Sequence, residues 1–469
     1  MRLSLFLIVL CFQSTLWAQD NTTIISLSEY LGYVKSYHPI VKQANLVINE
    51  SEAKLMKARG AFDPKLEVDY DRKKFKNTEY YDRLNATFKI PTWFGIELKG
   101  NFEDNSGDFL NRQAFLPEDG LYSAGVSVPV ARGLLTNKRM AMLRQSRLYV
   151  KQAQADRQLL VNNILYQATI SYFNWLRRYN EKQVFEDFLA NAEMRFNGIK
   201  KSYEVGDKPA IDTLEARITL NTRRLNLEKS RIKFIKASLE LSNFLWLNDN
   251  TPIEIKDNVI PDIETFNTID NTLNTSGLDV ESFNIESHPK IQSLDYKVRS
   301  LTIEKRLKRN NLLPQIDLQY NFLSETPDVA RSFSTSAYKS GINVSFPLFL
   351  RKERGDLKLA KLKLQDTNFE IQNTKVSLQN KIDAINQELS SYITQNDFTI
   401  TIVEDYTKLL TAEERKFFLG ASSLFLVNSR ESKLIDAKLK AIEIENDFLK
   451  TKANLFNVLA INDINDTTP

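Results

Sequence analysis

Residues 161–179 read VNNILYQATISYFNWLRRY, and in them Val161, Leu165, Ala168, Tyr172, Trp175 and Tyr179 recur at spacings of four, three, four, three and four. That is a heptad seam. The helical pattern around it runs from about Asn137 to Tyr203 without a proline, and Gly198 is its only glycine. At ~1.5 Å per residue such a rod would reach on the order of 100 Å. A single compact domain has no use for it, so it must lie against similar rods. The chain contains another: from about Lys352 to Phe418, Leu378, Ile382, Ile385, Leu389 and Tyr392 again follow four, three, four, three.

Upstream, residues 1–18 have the form of a signal peptide. Arg2 supplies the positive end, Leu5 to Phe12 the apolar centre, and Ala18 the small residue for cleavage. The chain is therefore expected to be exported to a bacterial envelope. Cys11 is its only cysteine, and Leu10 before it argues against a lipid anchor. Without other thiols the mature chain has no disulfide, cysteine metal site or cysteine nucleophile. The formal charge of +4 falls to +3 without Arg2, and no basic cluster is interleaved with aromatics, so nucleic acid is not an expected partner. No later stretch approaches the ~20 apolar residues of a transmembrane helix.

After a helix expected from about Ser28 to Arg59, the period changes to two. Leu66, Val68 and Tyr70 alternate with polar residues, as do Leu84–Ile90, Phe94–Leu98 and Tyr122–Val130. Each run with its flanks approaches the ~9–11 residues of a tilted strand crossing a bilayer, with one apolar and one polar face. A soluble antiparallel sheet alternates in the same way. Pro91-Thr92-Trp93 reads as a short turn, and roughly Lys74–Tyr81 and Glu103–Gly120 as longer polar loops.

The pattern then begins again. His38-Pro39 and His288-Pro289 hold the only two histidines, each 26 residues before a proline that opens a strand, Pro64 and Pro314. Ser127-Val128-Pro129 returns as Ser345-Phe346-Pro347, and Val205-Gly206 as Leu419-Gly420. The chain thus divides into a signal peptide (1–18), a first repeat (19–246, strands about 65–131), a connector (247–279), a second repeat (280–461, strands about 315–349) and a tail (462–469). Each repeat is helix, strands, long helix, turn, helix. The His-Pro pairs sit at matching points near helix starts with no cysteine or carboxylate pattern beside them, which favours a structural place over metal binding.

The Ser-Val-Pro and Ser-Phe-Pro junctions, Tyr203-Glu204-Val205-Gly206, Phe417-Phe418-Leu419-Gly420 and the duplication together resemble the TolC-type outer-membrane efflux family over nearly the whole mature chain. The resemblance implies a mixed architecture, a membrane β-barrel plus a long α-helical coiled-coil barrel, built by three copies of a chain with two tandem structural repeats. It implies an outer-membrane location with a periplasmic helical extension. It implies a passive duct that serves an inner-membrane pump through a periplasmic adaptor (membrane fusion) protein, without cofactor or catalysis. The helical tips, Tyr203, Val205, Gly206, Phe418, Leu419 and Gly420, become the adaptor-docking candidates.

Two features depart from the family. The first repeat has room for four strands where two are usual, which makes six per chain and about eighteen in a trimer; the alternative is a hairpin outside the wall. In the family, aspartates past the second glycine line the periplasmic aperture, but Leu426 and Ser429 stand there in this chain. Acids lie instead in the first repeat, and Asp212, Glu215 and Asp207 are the gate candidates. Solvated helix surface is the plainer account of them. A periplasmic coiled-coil scaffold or adaptor with a soluble β-domain is the competing function. Motifs of phosphate loops, zinc hydrolases and nucleophile elbows are absent from suitable contexts.

Overall fold

The computed structural model describes residues 23–275, 283–328 and 334–462. The signal-peptide assignment, part of the connector and all of the tail but Asn462 lie outside them.

Strand β1 (Thr23–Ile25) leads into α1 (Leu27–Tyr37), whose first turn is capped by Ser26 Oγ accepting from Glu29 N at 3.2 Å. The helix expected over Ser28–Arg59 is in fact two. Pro39 bars His38 from helical backbone (φ −63°, ψ 133°), so α1 ends there and α2 (Pro39–Arg59) starts afresh. His38 then caps α2, its Nδ1 accepting from Ile40 N at 3.2 Å. His288 does the same for α6 (Pro289–Asn310), accepting from Lys290 N at 3.1 Å.

Four strands follow α2: β2 (Lys65–Phe75), β3 (Thr78–Pro91), β4 (Glu97–Ser106) and β5 (Leu121–Pro129). The loop expected over Lys74–Tyr81 is instead a two-residue turn. Lys76 and Asn77 both adopt positive φ, 49° and 60°, and Phe75 pairs directly with Thr78. Such a turn follows the twist of the hairpin, and asparagine tolerates the conformation. The third run starts later than its apolar pattern, because Phe94 lies in the connection closed by Gly95 at φ +77°.

The long helix α3 (Lys138–Glu204) begins at Asn137, whose Oδ1 accepts from Met140 N at 2.8 Å while its Nδ2 donates to Trp93 O at 2.9 Å. One side chain thus fixes the helix start to the β3–β4 connection. Helix α4 (Ala210–Ser242) returns alongside and ends four residues before Trp246. The connector carries a strand that its sequence does not display, β6 (Val259–Pro261), which pairs in parallel with β1, and then a short helix, α5 (Thr265–Thr272). After α6 come β7 (Gln315–Ser324), β8 (Tyr338–Ser345), the second long helix α7 (Arg351–Phe418) and α8 (Leu424–Val458).

The main core lies midway along the helices, with Trp175, Tyr172, Phe173, Leu165, Tyr30 and Phe456 fully enclosed. Most of the 161–179 seam is buried here, with Tyr179 at its margin. Tyr172 Oη donates to Ile25 O at 2.8 Å and accepts from Asp262 N at 3.1 Å, so the seam of α3 clasps β1 to the residue after β6. Burial pushes the Tyr172 phenol well above its ordinary range.

Candidate functional site

Six strands form one antiparallel sheet in the order β2-β3-β4-β5-β7-β8. The register sorts their side chains by chemistry. Val68 stands opposite Ala86, Ala86 opposite Phe102, and Phe102 opposite Tyr122. Further along the same face Val126 meets Tyr320, and Leu318 meets Ile342. The other face is polar. Thr87 Oγ1 donates to Asn101 Oδ1 at 2.7 Å, and Lys89 pairs with Glu67. Leu66, Val68, Leu98, Ile342 and Val344 remain exposed in the single chain. An apolar face of this breadth needs a cover, and its strand length suits hydrocarbon. The extra strands β2 and β3 carry the face as fully as the others do.

Below the sheet, one ion pair fastens it to α3 and another joins α6 to α7. Arg139 meets Glu97 at 2.9 Å, and Lys308 meets Asp356 at 2.8 Å. The Lys308 ammonium holds the Asp356 carboxyl below the usual aspartate range.

At the far end α3 and α7 stop in the same way. Gly206 N donates to Tyr203 O at 3.0 Å and Asp207 N to Ser202 O at 2.8 Å; Gly420 N donates to Phe417 O at 3.1 Å and Ala421 N to Lys416 O at 2.8 Å. Both glycines are left-handed, at φ +83° and +76°. These are Schellman ends, which want a residue without a Cβ at that position. The two turns are brought together by buried Ile199, Ala216 and Leu424, with Phe417 packed against them. Lys208 Nζ lies 4.8 Å from the centre of the Phe417 ring. Around this core the docking candidates are bare: Phe418 is 88 % exposed, Val205 79 % and Leu419 69 %. Tyr203 is exposed as well.

The three gate candidates differ in their surroundings. Asp207 is exposed in the turn, and Asp212 is half-buried in the first turn of α4. Glu215 Oε1 accepts from Asn428 Nδ2 of α8 at 3.1 Å, and so points at the second hairpin. A charged clasp that the sequence does not advertise lies near them. Glu431 of α8 is fully buried, with Arg195 of α3 at 2.6 Å and Arg223 of α4 at 3.1 Å. Arg195 also reaches Glu414 of α7 at 3.0 Å, so four helices meet at one cluster. The sequence signal was slight, because Glu431 sits between Arg430 and Ser432 and reads as helix surface. Among the described residues no three histidine, cysteine or acidic side chains gather as metal ligands.

Residues 284–460 match the model of the family described as Outer membrane efflux protein. No curated protein sequence matches the chain. The crystal structure of the CmeC outer membrane channel of Campylobacter jejuni has a TM-score of 0.64 at 14 % identity, over 94 % of this chain and 86 % of that one. The outer membrane protein VceC of Vibrio cholerae gives 0.66 at 12 %, over 92 % and 96 %. The open state of the MtrE outer membrane channel of Neisseria gonorrhoeae gives 0.63 at 13 %, over 94 % and 91 %. At such identity the likeness is one of fold. The chain therefore resembles the TolC-type outer-membrane efflux family twice over, in sequence across residues 284–460 and in fold along nearly its whole length.

Proposed function

We propose that three copies of this chain form the outer-membrane exit duct of a tripartite efflux or secretion system. The observation that carries this reading is the amphipathic sheet standing on two helical hairpins. One sheet face is apolar and uncovered, and the tips at the other end are apolar and exposed. A soluble β-domain would bury that face; a bilayer accepts it as it stands. In this reading residues 19–246 and 280–461 are two copies of one unit joined by the connector 247–279. The duct itself is passive, and an inner-membrane pump drives transport through a periplasmic adaptor.

The adaptor meets the tips at Val205, Phe418 and Leu419, where large apolar side chains face water. Asp212 and Asp207, repeated by threefold symmetry, supply the acidic ring of the periplasmic mouth. Glu215 supports it from the side by holding Asn428. Opening moves one hairpin against the other, and the Glu431 clasp with Arg195 and Arg223 resists that movement.

Membrane fractionation with mass determination in detergent tests the reading. An outer-membrane trimer with single-channel conductance is expected, and a monomer soluble without detergent overturns it. Asp212→Asn with Asp207→Asn is expected to lower cation preference in planar bilayers, most clearly at low salt, where screening is weakest. Unchanged selectivity and divalent block would place the gate elsewhere.

A further inference from the structure

We propose that β2 of one copy pairs antiparallel with β8 of the next. Three sheets then close into a single wall of eighteen strands, and Lys339 stands opposite Asp71 of the neighbouring copy. The proposal rests on the outer-membrane reading above and adds to it the edge, the register and the strand number.

The sheet has two free edges, β2 and β8. Unpaired backbone groups are not tolerated in hydrocarbon, so both edges must find a strand. A hairpin β2–β3 lying outside the wall would have no use for a membrane face. Yet Leu66 stands opposite Phe88, and Tyr70 opposite Leu84, on the face that β4, β5, β7 and β8 continue. The extra strands are built as wall.

The register supplies the geometry. Lys65, Lys89, Lys99, Gly125, Asn321 and Lys339 are successive cross-strand partners from β2 to β8. This row starts at the helix-side end of β2, since Lys65 is its first residue. On β3 it lies two residues from that end, at Pro91, and on β5 four residues from Pro129. On β7 and β8 it lies six residues from the ends, Gln315 and Ser345. The row climbs about one residue per strand. Over eighteen strands, with ~3.3 Å rise and ~4.8 Å spacing, that slip gives a tilt of about 35°, within the range of membrane barrels.

Threefold symmetry gives each copy the same slip, and only even slips keep apolar side chains on the lipid face. A slip of six moves the row from Lys65 to Asp71 on the next copy's β2. Lys339 then faces a carboxylate, Ile342 faces Val68, and Val344 faces Leu66. A slip of eight would set Lys339 against Lys73, and like charges directly opposite are unfavourable. A slip of four lowers the tilt to about 25°, outside the usual range.

Disulfide trapping decides it, in a chain with Cys11→Ala. Ile342→Cys is combined in turn with Leu66→Cys, Val68→Cys, Tyr70→Cys and, on β4, Leu98→Cys, and oxidised in outer membranes. Expected is a covalent trimer ladder on non-reducing gels with Val68→Cys, several-fold stronger than with its neighbours and absent from the single variants. Strongest linkage at Leu66→Cys or Tyr70→Cys overturns the six-residue slip. Linkage at Leu98→Cys overturns the eighteen-stranded wall. No linkage in a protein of trimeric mass overturns the edge pairing, whereas a monomeric mass in detergent overturns the outer-membrane reading beneath it.

Discussion

Helices α3 and α7 are near equals in length, 67 and 68 residues, yet nineteen residues of α3 are buried and only eight of α7. The difference is one of neighbours. Within a single copy α3 runs among α2, α4, α6 and α8, whereas α7 packs mainly against α6 and α8. On its open side α7 presents Phe369, Phe398 and Ile402 to solvent, and α4 presents Ile218, Leu225 and Ile232. A heptad seam announces that a helix has a partner but does not count its partners. In the proposed trimer the bare stripes of α4 and α7 are the surfaces left for neighbouring copies.

Substitution separates the two helices. Trp175 of α3 has no exposed surface, while Phe398 of α7 is 66 % exposed. Trp175→Ala is expected to cost about 3–5 kcal/mol in denaturant unfolding of the single chain. Phe398→Ala is expected to stay within about 0.5 kcal/mol and to weaken trimer formation instead. Equal losses in monomer stability would mean that α7 is as enclosed as α3.

Glu431→Ala is expected to cost about 3 kcal/mol, because it leaves the Arg195 and Arg223 guanidinium groups facing each other across a buried site. Thermal unfolding of the variant checks this, and a double variant with Arg223→Leu should recover part of the loss. No recovery would mean that the carboxylate acts alone.

Gly206→Val and Gly420→Val probe the end at which the two rods agree. Nothing lies within 4 Å of a Cβ built at either glycine, so only backbone strain opposes the side chain. About 1–2 kcal/mol is expected at each, with the trimer kept and efflux lost. Full efflux in both would remove the tips from adaptor docking.

The smallest effect expected is one of pH. Burial holds the His38 and His288 rings below their ordinary pKa. Each neutral ring therefore contributes its full stability above the unfolded value of ~6.5, and stability falls as pH drops through it. The loss should be less than about 1.4 kcal/mol per pH unit for each ring. Asparagine also caps helices, so His38→Asn with His288→Asn should flatten the decline between pH 7 and 5 without unfolding the chain.

The periodic elements were legible from the sequence because period is itself the signal. The seams and the glycines at the tips are where their spacing places them, and so are the alternating strands apart from the late start of the third run. What escaped has no period. Strands β1 and β6 are three residues each, and their pairing joins Thr23 to Val259 across half the chain. The tight turn at Lys76-Asn77 lacks the glycine that usually marks it. At the clasp, Arg195 and Glu431 are more than 230 residues apart, and nothing near either predicts that both lie inside. The gate candidates carry no signal of their own, because a helical acid reads alike whether it faces a lumen, a neighbour or open water.

The pairing of β5 with β7 has a consequence for biogenesis. In a chain exported N-terminus first, strands β2–β5 emerge early as a local meander with an apolar face and open edges. The strand that continues them begins at Gln315, after all of α3, α4 and α6. Closing so long a loop adds little in entropy, since that cost grows only with the logarithm of length, but it takes time. For that interval an apolar, open-edged sheet stands unfinished in an aqueous compartment, where a holding chaperone would find its natural client.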